Sequence, residues 1–172
     1  SCKKYSSRAV EEDKLTQILE AGRVAPTAKN LQEQHIYVLQ SKEALEKLDS
    51  LTPCRYGAPT VLLVAFDSSN VYTYPGSERT SGVEDASIVA THMILAAAAE
   101  GVDSCWVNRL NPEEAAQTFG LPENEKVLCA IDLGMQPKAR TRFPTTARAR
   151  SSPRPSRGSR ESGPDTATSR RR

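Results

Sequence analysis

Ser1, Cys2, Lys3, Lys4 and Tyr5 place a hydroxyl, a thiol and two ammonium groups within five residues of one another. A second polar set follows at Ala25, Pro26, Thr27, Ala28, Lys29, Asn30, Leu31 and Gln32, where a proline and polar turn formers break a helical pattern. Such a loop can present hydroxyl, amide and backbone N–H groups to a ligand. A third set, Ser104, Cys105 and Trp106, leaves the Gly101 turn, and a fourth, Lys138, Arg140 and Arg142, follows the last apolar run. Basic and hydroxyl groups scattered in this way can converge on one phosphate, and loop amides can hydrogen-bond a planar heterocycle. Taken singly the same residues fit plainer roles: Ser1 and Lys3 a frayed terminus, Lys29 a solvated charge, Trp106 ordinary core.

Other chemistries find little support. No GxSxG elbow is present and neither His35 nor His92 has a recognisable partner, so a nucleophilic triad is not indicated. Neither GxGxxG nor GxxxxGK[ST] occurs, which removes the Rossmann dinucleotide fingerprint and the P-loop. The four cysteines, at 2, 54, 105 and 129, form no CxxC pair and no zinc-ligand spacing with the histidines. They read as free thiols, and no metal is expected.

The elements that must position these groups follow from periodicity. Apolar residues recur at helical spacing through Leu15, Ile18, Leu19, Ala21 and Gly22 after an acidic first turn, giving a helix that ends near Val24. His35 to Gln40 reads as a short strand, and Lys42 to Leu51 as a helix capped by Ser41. Ala58 to Phe66 is apolar at successive positions, as in a central strand covered on both faces. Val83 to Glu100 is a helix so apolar that it must be buried or packed against a second subunit. Asn111 and Pro112 start a helix that Gly120 ends, and Lys126 to Gly134 is the last strand. This order predicts a helix-wrapped sheet in one α/β or α+β domain.

A length of 172 residues suits one domain, and 38% hydrophobic with 26% charged residues is ordinary for a protein in water. No apolar run approaches the roughly 20 residues of a spanning helix, so no membrane association is expected and a cytoplasmic location is. Residues 1–138 carry 13 Lys and Arg against 19 acids, net −6, whereas residues 139–172 carry 10 Arg against 2 acids, net +8. From Ser151 onward no large apolar residue occurs, and such a segment is expected to stay disordered. Its abundant Arg without Lys reads as out-of-frame or artefactual sequence, ahead of an inert tail. Nucleic-acid binding ranks last, because aromatic residues are not interleaved with the arginines.

The segments gain meaning together. The opening Ser1-Cys2-Lys3-Lys4-Tyr5, with Arg8-Ala9-Val10, resembles the start of the FMN-dependent nitroreductase family, and Ala25–Gln32 resembles that family's A-P-[ST]-x-x-N-x-Q loop. Tyr56-Gly57-Ala58-Pro59, Glu84-Asp85-Ala86, Gly101–Trp106 and Leu133-Gly134 follow in family order. The resemblance implies an α+β fold over residues 1–144, a helix-wrapped mixed or antiparallel sheet sandwich forming a homodimer with FMN at its interface, and a separate tail over 145–172. It implies that Ser1, Cys2 and Lys3 contact the phosphate and ribityl side, and that Pro26, Thr27, Asn30 and Gln32 reach the flavin from the partner subunit. Ser104, Cys105 and Trp106 would line the ring, and Lys138, Arg140 and Arg142 would close over the phosphate. The implied activity is hydride transfer from NADH or NADPH, through flavin N5, to a small electron-poor acceptor such as a nitroaromatic or quinone, with no catalytic side chain. A flavin- or ligand-binding protein without turnover is the alternative.

Overall fold

The computed structural model describes residues 1–137. Lys138, Arg140, Arg142, the expected domain end at residue 144 and the Arg-rich tail lie outside the described residues.

Four helices and four strands alternate: α1 Glu12–Arg23, β1 Gln34–Leu39, α2 Lys42–Leu51, β2 Thr60–Asp67, α3 Gly82–Ala99, β3 Asp103–Val107, α4 Pro112–Phe119 and β4 Glu125–Gly134. Local chemistry sets their ends. Ser41 Oγ accepts the Ala44 N–H at the start of α2, and Asn111 Oδ1 accepts the Glu113 and Glu114 N–H groups at the start of α4. Gly120 closes α4 at φ 66°, a left-handed conformation that glycine adopts without a Cβ penalty.

The sheet order is β1-β2-β4-β3, with every neighbouring pair antiparallel. The sheet is therefore antiparallel, not mixed, and the architecture is the expected α+β. β2 is central, as its unbroken apolar run requires: Val61 to Ala65 are wholly buried. Leu62, Val64 and Phe66 face a core built with Leu15 and Ile18 of α1 and Val89, Ala90 and Met93 of α3. Val61 and Leu63 face a second core with Leu48 of α2, Ala115 of α4, and Cys2 and Tyr5. Period-two alternation thus divides one strand between two helical layers. A bulge interrupts the ladder between Val64 and Ala65, whose partners on β4 are Cys129 and Val127.

α3 has the length and apolarity of a spanning helix, which the sequence reading did not foresee. Here it is the core helix: Ala86, Val89, Ala90, Met93 and Ala97 are inaccessible. Each of the larger two side chains contributes roughly 1.5–3 kcal/mol by burial.

Candidate functional site

The N-terminal segment is tied to the end of the sheet by its backbone. The Cys2 N–H donates to the Ser104 carbonyl (2.9 Å), and the Ser6 N–H donates to the Met135 carbonyl (2.8 Å). Cys2 and Tyr5 enter the core, while Ser1 and Lys3 are left exposed. The Ser1 hydroxyl and the Lys3 ammonium lie near the Cys105 thiol. Burial, reinforced by Asp132, raises that thiol above its ordinary range, and Ser1 and Lys3 only partly oppose this.

Strand alternation separates the three residues of β3. Cys105 belongs to the core containing Cys2 and Tyr5, whereas Trp106 packs against the core on the α1/α3 side. The Trp106 indole N–H donates to Asn108 Oδ1 (2.6 Å). Ser104, Cys105 and Trp106 therefore do not present three side chains on one side of the sheet, and what they share along that strand is backbone.

The second polar set is a strained, well-anchored loop. Thr27–Gln32 contains a 3-10 turn at Ala28–Asn30, and Lys29, Asn30 and Gln32 have φ of 54°, 54° and 52°. Side chains rarely adopt this region, so something must hold it. Thr27 Oγ1 accepts the Gln32 N–H (3.1 Å), and Asp85 Oδ1, at the start of α3, accepts the Ala28 N–H (3.0 Å). Asn70 Nδ2 donates to the Leu31 carbonyl (3.3 Å), and Lys29 Nζ lies 4.8 Å from the centre of the Tyr72 ring. Pro26, Asn30 and Gln32 remain exposed.

The two sets occupy opposite corners of the sheet. Ser104 pairs with Leu133, which pairs with Thr60 at the start of β2, while Gln34, just after the loop, pairs with Phe66 near the end of β2. Six residues of strand and three strand spacings separate those positions, on the order of 25 Å on the diagonal.

This fold has counterparts. A family model described as the nitroreductase family matches residues 1–55 and 53–135. The chain belongs to the nitroreductase family. A nitroreductase family protein from Clostridium difficile 630 is 36% identical, with a TM-score of 0.79 over 83% of this chain and 82% of that one. A nitroreductase with bound FMN from Bacteroides fragilis NCTC 9343 is 26% identical, with a TM-score of 0.66 over 88% and 91% of the two chains. A Methanothermobacter thermautotrophicus protein provisionally named NADH dehydrogenase/NAD(P)H nitroreductase is 31% identical over 145 residues, 78% of this chain and 71% of that protein.

Three residues of this nitroreductase-family chain to which sequence reasoning gave no site role stand close to the two sets. Asp85 anchors the loop from another element. Glu33, next to Gln32, is 2% exposed. Asp132 is wholly buried on β4, where burial pushes its carboxyl up to about 8 against a modest opposing effect of Arg55. A lone acid in Leu128-Cys129-Ala130-Ile131-Asp132-Leu133 was visible as an anomaly in an apolar strand. Glu33 carried no such signal among its polar neighbours.

Proposed function

We propose that this chain is an FMN-dependent oxidoreductase, working as a homodimer, that moves a hydride from NADH or NADPH to an electron-poor acceptor of the nitroaromatic or quinone class. Bound FMN would supply the two-electron chemistry, with hydride accepted and released at flavin N5. The residues present suit that group. Ser1 and Lys3, exposed beside β3, offer a hydroxyl and a cation to a phosphate. Asn30 and Gln32, exposed on the loop, carry amides that both donate and accept, as the edge of a flavin requires.

The observation that carries the reading is the division of these groups between opposite corners of one sheet. A gap on the order of 25 Å is too wide for both sets to meet one ring within a subunit. A second copy, supplying its own Thr27–Gln32 loop, closes it. α3 offers the surface for that copy: Val83, Ile88 and Leu95 are exposed large apolar side chains, and Ser87, Ile88, Thr91, His92 and Leu95 share one helical face.

In this scheme the protein binds, orients and excludes water, and no side chain serves as nucleophile or general base. Cys105, a buried thiol, is a neighbour and not a reactant.

The test is the visible spectrum of the protein with FMN, taken anaerobically before and after NADH and NADPH. Bound flavin bleached by either nucleotide supports the reading and identifies the donor. Bound flavin left unbleached by both makes the chain a flavin-binding protein without turnover. Absence of flavin binding by folded protein overturns the proposal.

A further inference from the structure

The loop that carries Asn30 and Gln32 is fastened from behind by two acids. Asp85 is 5% exposed and Glu33 is 2% exposed. Asp85 Oδ1 accepts the Ala28 N–H (3.0 Å), and the Glu33 carbonyl accepts the Asp67 N–H (2.8 Å). The Glu33 carboxyl lies within hydrogen-bonding reach of the Asp85 carboxyl. Yet Glu33 Oε1 and Oε2 and Asp85 Oδ2 receive no N–H or O–H from the described residues. Two ionised carboxylates have no proton to donate and would repel across this buried contact.

The surrounding charges are engaged elsewhere. Lys29 on the loop lies over Tyr72, and Arg23 on α1 pairs with Glu20. Glu84 on α3 is held by Arg79 and the Tyr74 hydroxyl. Asp67 at the end of β2 accepts from Ser69 and Asn124, and His35 on β1 faces Glu125 on β4. Asp85 is the neighbour whose charge bears on Glu33.

We infer that Glu33 and Asp85 share one proton and together clamp the Thr27–Gln32 loop, making Glu33 a positioning residue for whatever that loop binds. The proton supplies the donor that the buried oxygens lack, and Asp85 Oδ1 keeps its hold on Ala28. Loss of the proton to solvent leaves two negative charges face to face and pushes Asp85 away from the backbone amide it anchors. Burial, with Asp85 adding to it, pushes the Glu33 carboxyl up to about 7. A carboxyl raised in the closed state stabilises that state fully below its ordinary range and loses the effect as pH rises through the raised value. The clamp is therefore closed in mild acid and weakened above neutrality. That the bound group is FMN rests on the function proposed above; the clamp itself does not.

Exchange of the Ala28 amide, followed by NMR in flavin-free protein and corrected for intrinsic exchange, tests the clamp directly. Protection should fall by about tenfold or more between roughly pH 5 and pH 8 in the wild type. In Glu33→Gln the side-chain amide donates to Asp85 at every pH, so protection should stay high and flat. Asp85→Asn, whose amide would donate to Glu33 while its carbonyl still accepts from Ala28, should flatten the profile too, and serves if Glu33→Gln does not fold. A flat wild-type profile overturns the inference, as does a variant that keeps the wild-type slope. FMN titration by fluorescence at the same two pH values then reads the consequence: tighter binding in acid for wild type, equal binding for Glu33→Gln. Absence of FMN binding at both values in folded protein would remove the flavin reading while the exchange data still judged the clamp.

Discussion

Asp132 on β4 stands directly opposite Cys105 on β3, and both are buried beside the N-terminal segment that carries Ser1 and Lys3. Both Asp132 oxygens lack a donor among the described residues, although Arg55, held by Asp49 and the Ala58 carbonyl, is near enough to temper the carboxyl. The corner proposed to receive the phosphate thus rests on a neutral acid.

That neutrality makes stability depend on pH. The folded protein keeps a proton on Asp132 up to about 8, whereas the unfolded chain loses it in the ordinary aspartate range. Stability from this group is full in acid and is lost as pH rises through about 8. We expect urea unfolding to show the wild type losing several kcal/mol through this group between acid and pH ~9. Asp132→Asn, which has no proton to lose, should show a correspondingly shallower slope. Parallel slopes for the two proteins would refute the assignment.

The thiols of Cys54, Cys105 and Cys129 should differ sharply in reactivity. Cys129 is buried and pushed up to about 12. Cys105 is raised by burial. Cys54 is half-buried and lowered, chiefly by the Tyr56 hydroxyl and then by Thr52, with Arg109 nearby. Brief iodoacetamide treatment of native protein followed by peptide mapping should label Cys54 well ahead of Cys105 and Cys129. Cys105→Ala should retain most turnover with any acceptor that the wild type reduces. Complete loss would mean that this thiol is a reactant.

Gly134 sets how closely the N-terminal segment can approach the sheet. A Cβ there would lie 2.8 Å from Tyr5 Cδ1 and 2.9 Å from Pro59 Cδ. Gly134→Ala should cost about 1–3 kcal/mol and loosen FMN by displacing the segment bearing Ser1 and Lys3. A cost below about 0.5 kcal/mol for Gly134→Ala in urea unfolding would show that the Tyr5 contact does not hold the segment.

Periodicity and end signals made most of this architecture legible before any coordinates. The caps at Ser41 and Asn111, the stop at Gly120 and the doubly covered run of β2 each follow from a local rule, and each is met. Strand order is not local: β4 lies between β2 and β3, a pairing that no window of sequence encodes. The site divides in the same way. Its exposed polar residues were conspicuous in a loop and at a terminus. Asp85, Glu33 and Asp132 act through contacts made in the folded chain: Asp85 reaches Ala28, 57 positions away, and Asp132 meets Cys105 only by strand pairing. Alternation also sends the side chains of Cys105 and Trp106 to opposite layers of the sheet, which their adjacency in sequence does not display.

In the proposed dimer the exposed face of α3 would bring the two corners together. Leu95 is 63% exposed and Ile88 38%, on a helix whose opposite face is inaccessible, and no described element covers them. Large apolar side chains in that position suit a second copy, and the proposed site, which draws on both polar sets, needs one. Ile88→Arg and Leu95→Arg should leave the secondary structure unchanged by circular dichroism, because neither side chain enters the core. Light scattering should show the wild type as a dimer and both variants shifted to monomer, with FMN binding weakened at least tenfold. Asn30→Ala should weaken FMN while the protein stays dimeric, since that side chain is exposed on the loop and is not part of the apolar face formed by Ile88 and Leu95. A monomeric wild type that binds FMN tightly would mean that one subunit holds the flavin alone, and the Thr27–Gln32 loop would then have no place in the site.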